Sequence, residues 1–169
     1  MSVIAAITKN MITYPGSTRH DIAHLLKVWA YAKTIGELEG LDAKTQLILE
    51  IAALTHDIAC PLCRQKYGSA AAALQEKEGA PLVRALLEDF SLEKDVVDRV
   101  AFLVAHHHTL NMIDSPDYQI LIEADYLVNA DENRYSSESI LTFHSEHFKT
   151  QFGKDMLLSL FPRIGLDEK

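Results

Sequence analysis

At 169 residues the chain is long enough for one domain with a sizeable core, and 48% hydrophobic with 24% charged residues is ordinary globular content that argues against disorder. A formal net charge of −8 makes a nucleic-acid polymer an unsuitable partner, since that needs a basic stripe, while small phosphorylated ligands need only a local cluster. Two cysteines, Cys60 and Cys63, cannot build a disulfide framework. With neither a signal-peptide run nor an apolar stretch of bilayer length in view, the expectation is a cytoplasmic protein with reduced thiols and no membrane partner.

In chain order, Val3, Ile4, Ile7, Met11 and Ile12 give a short docking helix, broken at Tyr14-Pro15-Gly16. Ser17 is expected to cap a long helix to Glu39, with Gly40 just past its end. Its apolar face holds Leu25, Val28, Trp29, Ala32 and Ile35, and His20 and His24 lie four residues apart along it. Asp42 suits the cap of a helix over residues 43–59, which Pro61 should end. Leu47, Ile48, Leu49, Ile51, Leu54 and Ile58 place apolar groups almost all round this helix, which marks it as buried. His56-Asp57 interrupts that surface, and a buried imidazole and carboxylate are costly without a partner. A divalent metal is one good partner, and a satisfied core histidine with a capping aspartate is the other reading.

After a short segment at 62–67, the alanines at 70–73 favour a helix to Glu78. Gly79-Ala80-Pro81 punctuates it, and Pro81 suits the first turn of the next helix, through Phe90. Ser91 caps a helix whose stripe of Val96, Val97, Val100, Leu103, Val104 and His107 runs into His106-His107-His108. Residues 109–115 read as a loop, and Ser115-Pro116 opens a helix to Asn129, with Asp125 beside an inner face of Ile120, Leu121, Ala124, Leu127 and Val128. Residues 136–148 and 154–161 supply further amphipathic helices, separated near Phe152-Gly153. No strand alternation, repeat or linker interrupts this pattern. The expectation is an all-α, single-domain bundle with its core at about 17–135 and helices 136–161 packed on it. Met156, Leu157, Leu160 and Phe161 are expected to pack internally, with a homodimer face as the alternative.

Four separate apolar helices thus each deliver a histidine or carboxylate: His24, His56-Asp57, one or more of His106 to His108, and Asp125. Convergence on an ion explains them together. A thiolate-free N/O set suits Fe, Mn, Co, Ni or Zn, and Mg if waters complete its shell. Cys60-Pro-Leu-Cys63 has neither the second cysteine pair of a structural zinc site nor the βαβ context of a thioredoxin, so a buried pair without chemistry is expected.

His24 followed by Val28, then Ala-Ala-Leu-Thr-His56-Asp57, the histidine-rich helix end, and Glu-Ala-Asp125-Tyr-Leu resemble the H…HD…D signature of the HD-domain superfamily over residues of about 20 to 130. The resemblance implies a helical fold around a metal centre and metal-dependent hydrolysis of a phosphate ester or anhydride in a small nucleotide or phosphorylated metabolite. It implies His24, His56, Asp57 and Asp125 as ligands of one or two divalent ions, Asp57 as the bridge, and Asp57 and His107 as catalytic groups. His106, His107 and His108 are candidates for a second ion, His107 favoured by its stripe, and His20 is placed outside the ligand set. Lys27, Arg64, Lys66, Arg84 and Arg134 are the candidate phosphate-binding cations. One departure matters: some HD nucleotide hydrolases carry an acid three positions after the HD aspartate, where this chain has Cys60, so their substrates and proton-transfer scheme do not carry over. A non-catalytic metal- or ligand-binding signalling module and an HD-type di-iron oxygenase are the competing functions.

Overall fold

The computed structural model of the protein describes residues 1–162 and Ile164. Among the described residues the regular structure is helical, with no strand: α1 (Val3–Ile12), α2 (Arg19–Leu38), α3 (Ala43–Thr55), α4 (Cys60–Tyr67), α5 (Ala72–Leu87), α6 (Lys94–His106), α7 (Pro116–Glu132), α8 (Ser137–His147) and α9 (Gln151–Leu160). A single 3-10 turn, Leu110–Met112, interrupts the loop after α6.

α3 is the central element. Ile51, Ala52, Ala53 and Leu54 are fully buried in succession, as an all-round apolar helix requires. α1, α2, α6 and α7 pack around it, α2 also packs along α7, and α5 covers the outer side of α6. The stretch Ala43–Tyr67, which is α3, α4 and the turn between them, is long and apolar enough to cross a bilayer, contrary to the expectation. Its most apolar window is 78% buried among the other helices, which is the position of a core element.

Several boundaries differ from those expected. Thr18, not Ser17, caps α2, in a reciprocal capping box with Asp21. α3 stops at Thr55, four residues early, and Pro61 sits in the first turn of α4, where its missing N–H costs nothing. α5 runs unbroken through Gly79 and Pro81. A Cβ at Gly79 would lie 2.8 Å from Val104 Cγ1, so the glycine is there to let α6 approach, and packing along α6 outweighs the cost of an interior proline. Glu93 rather than Ser91 precedes α6, without a side-chain cap. α7 continues three residues past Asn129 to Glu132. Phe152-Gly153 lies inside α9, whose cap is Thr150, so the α8–α9 break falls earlier. Leu157 is buried and Leu160 exposed, so that face is only partly internal.

Candidate metal centre

Both helices that deliver the central residues end at them. His56 follows the last residue of α3, and bonds from Ile58 N to Thr55 O and from Cys60 N to Asp57 O tighten the chain into a turn. His107 follows the last residue of α6, and Thr109 N returns to His106 O. Two helix C-termini therefore meet at one place, and the partial negative charge of each favours a cation there.

His24 on α2, His56 and His107 are buried, and each commits Nδ1 to a group that can only accept. His24 Nδ1 donates to Glu132 Oε2 at 2.9 Å, His56 Nδ1 to Ala53 O at 2.9 Å, and His107 Nδ1 to Val104 O at 2.9 Å. All three Nε2 atoms are thereby turned inward, the tautomer and orientation a metal ligand needs. His24 Nε2 lies 3.2 Å from His56 Nε2 and 3.2 Å from Asp125 Oδ1, while His56 Nε2 is 3.5 Å from the same oxygen. Asp57 Oδ2 is 3.8 Å from His24 Nε2 and 3.7 Å from His56 Nε2. Its other oxygen, Oδ1, faces His107 Nε2 at 3.5 Å.

The residues present fit a divalent ion. Donor atoms about 3.4 Å apart are the edges of a shell with bonds near 2.1 Å, and His107 Nε2 is buried with no hydrogen-bond partner. His24, His56 and Asp57 form one compact donor set and Asp57, His107 and His108 another, each with donor atoms within 4.8 Å of one another. Of the three tandem histidines, His106 is excluded: its Nδ1 donates back to Phe102 O at 2.7 Å and its ring stacks on Phe102, because it still belongs to the last turn of α6. His107 and His108 lie past that turn and reach Asp57.

The electrostatics follow from this crowding. Burial alone would lower the pKa of His24, yet the carboxylates of Asp125, Asp57 and Glu132 pull it up to about 9. Burial also opposes the charged form of His56, and Asp57 and Asp125 still raise it. Burial would raise Asp57 and Asp125, but His56 and His107 hold the first, and His24 and His56 the second, far below the ordinary carboxylate range.

Two supporting residues lie outside the sequence reading. Glu132 orients His24 and is itself held by Lys27 Nζ at 2.7 Å. Asn129 donates to Asp125 Oδ1 at 2.8 Å. The signal was present as Asp125, Asn129 and Glu132 at i, i+4 and i+7, one face of α7. The turn carrying His107 and His108 is pinned from both sides. Glu76 accepts from His108 N and Thr109 Oγ1, and the Tyr118 hydroxyl meets the carbonyls of His106 and Thr109.

Four of the five cations expected at the mouth are paired with carboxylates, and Lys27 supports the centre indirectly through Glu132. Arg64 pairs with Asp21, Lys66 with Glu78, Arg84 with Asp98 and Lys27 with Glu132, and the cavity of about 370 Å³ that opens beside His107, His108 and Asp125 is lined by none of them, nor by Arg134. His20 is exposed, with Nε2 3.6 Å from Glu132. Cys60 and Cys63 are free, buried thiols, and burial beside Asp57 pushes Cys60 up.

The comparisons with known proteins agree with this geometry. The family model for the HD domain matches residues 21–130. No curated protein matches the chain. Among solved structures, the crystal structure of a predicted HD superfamily hydrolase from an uncultured Thermotogales bacterium superposes with a TM-score of 0.66 at 24% identity, covering 94% of this chain and 83% of that one. With the model spanning more than half of the chain, from just before His24 to just beyond Asp125, this protein belongs to the HD domain family.

Proposed function

We propose that this protein is a metal-dependent phosphohydrolase that cleaves a phosphate ester of a small phosphorylated substrate. The observation that carries the reading is the division of Asp57, one oxygen toward His24 and His56 and the other toward His107. A single carboxylate facing two nitrogen sets would let one residue serve two bound cations. His24, His56, Asp57 and Asp125 would hold one ion, and Asp57, His107 and His108 a second. Bound ions supply an acidified water and neutralise the charge of the phosphoryl oxygens.

The chain's own residues do the rest. Asp57 and Asp125 stay ionised throughout the neutral range, so the site keeps its two negative charges and does not lose them to protons. Glu132, Ala53 O and Val104 O hold the three imidazoles by their Nδ1–H groups, which fixes the ring planes before any ligand enters. Asn129 fixes the Asp125 carboxylate at the cavity wall. Among the described residues no lysine or arginine lines the cavity, so bound ions would be what meets the phosphate charge there.

The test is elemental analysis of the purified wild type beside His56→Ala and Asp57→Asn, together with phosphate release from an aryl phosphate. Wild type should carry near-stoichiometric metal and release phosphate. His56→Ala should lose both, with activity down by at least 100-fold. A His56→Ala protein that keeps full metal and full activity sinks the assignment.

A further inference from the structure

We infer, resting on the hydrolase reading above, that the substrate is a phosphomonoester whose organic part is a flat ring without negative charge, seated against the aromatic wall formed by Tyr126 and Phe143. The cavity beside the metal centre has a polar end and an apolar end. His107, His108 and Asp125 form the first, and Tyr126, Tyr135, Phe143, Leu110 and Ile122 form most of the second. Its volume of about 370 Å³ is at the small end for ligand pockets, enough for one phosphate and one ring system.

The wall's rings pack against one another. The Tyr126 and Phe143 rings stack with centroids 3.7 Å apart and 5° between planes, and Phe148 supports Tyr126 from the edge at 6.0 Å. The Tyr126 hydroxyl donates to Ser139 O at 3.2 Å, which ties α7 to α8. A flat ring gains from such a surface by stacking or edge contact, beyond what its area alone would give an alkyl chain.

Charge narrows the choice further. Tyr126, Tyr135 and Phe143 also line an outer groove of about 570 Å³ that carries Glu138 and Glu146 and, among the described residues, no lysine or arginine. A second or third phosphate would meet carboxylates there without a countercharge, so a monophosphate bearing an uncharged or cationic ring is favoured over a polyphosphate. Tyr135, Phe143, Glu138 and Glu146 all follow residue 130, where the family match ends, while Tyr126 lies within it, so the wall joins a family helix to residues beyond the match.

The experiment is titration of the metal-loaded protein with phenylphosphonate, propylphosphonate and inorganic phosphate, none of which can be turned over, for wild type and Phe143→Leu. Wild type should bind phenylphosphonate about tenfold more tightly than propylphosphonate, which corresponds to about 1.4 kcal/mol. In Phe143→Leu the preference should fall to about threefold or less, with metal content and phosphate affinity kept. Equal affinity for the two phosphonates in wild type, beside measurable phosphate binding, overturns the ring inference and leaves the hydrolase reading standing. Failure of all three anions to bind overturns both. The wild-type comparison decides even if the variant does not fold.

Discussion

His24 is the residue at which folding, metal binding and pH meet. In the metal-free protein its ring is held up to about 9 against the opposing effect of burial, so near neutral pH it carries a proton on the nitrogen that a metal requires. Metal must therefore displace that proton. Affinity should rise about tenfold per pH unit from 7 toward 9 and then level off. Calorimetric titration in two buffers of different ionisation heat counts the proton released, and an affinity indifferent to pH over that range would contradict the assignment. The stability of the metal-free protein should move the other way. A folded-state pKa raised above the ordinary 6.5 means that His24 contributes stability fully below 6.5, and that this contribution is lost as pH rises through about 9. His24, His56, Asp57 and Asp125 stood out in the sequence as polar residues on or beside apolar helix faces, and the family resemblance grouped them as one ligand set. Glu132 did not, since a polar residue beyond the expected end of a helix looks like any solvated terminus. The choice among the tandem histidines was narrowed to His107 by its stripe, but His108 joins it only because the chain leaves the helix between His106 and His107.

The same distinction between pattern and packing governs the elements. Glu123 on α7 is fully buried, yet its carboxylate accepts from Lys149 N at 2.6 Å, Thr150 N at 3.0 Å and Gln119 Nε2 at 2.7 Å, and also from the Thr150 hydroxyl. It thus closes the N-terminal end of α9, where a negative group is favoured by the helix dipole. A side chain at Gly153 would strike this carboxylate, which is why that glycine lies in the first turn of α9 and does not break it. Glu123→Ala leaves buried donors unpaired and should cost about 3 kcal/mol, read as a lower urea midpoint, while metal content stays at the wild-type level because neither α8 nor α9 carries a ligand. An unchanged midpoint would mean that α9 docks without this cap. Helix type was legible from i, i+3, i+4 spacing, as was the burial of α3, but α4 read only as a short segment and α5 as two helices. Gly79 and Gly153 were misread as breaks because a glycine signals local freedom, whereas its actual use depends on which neighbour comes close. That information lies in Val104 and Glu123, distant in sequence.

At the scale of the whole molecule, the metal centre joins α2, the turn after α3, the turn after α6, and α7, and the His24–Asp125 contact alone spans 101 positions. A ligand that binds only where these four segments meet binds the folded state and not the unfolded chain. At a free concentration a thousand times its dissociation constant it adds about 4 kcal/mol of stability. In a domain of this length each kcal/mol moves the melting temperature by about 2–4 °C, so stripping the metal with a chelator should lower it by about 10 °C. The fold itself should survive. α3 is buried by apolar contacts with α1, α2, α6 and α7, from Ile7 and Val28 to Leu103 and Leu127, and none of these depends on an ion. Without a metal, the buried Asp125 and half-buried Asp57 carboxylates still face the charged imidazole of His24, which limits the cost of enclosing them. Far-UV circular dichroism of the stripped protein at 20 °C should match the loaded protein, and the melting temperature should return on adding metal back. Loss of helicity on chelation would instead make the ion a structural necessity, and a melting temperature unmoved by complete metal removal would mean that the four segments are held together without it.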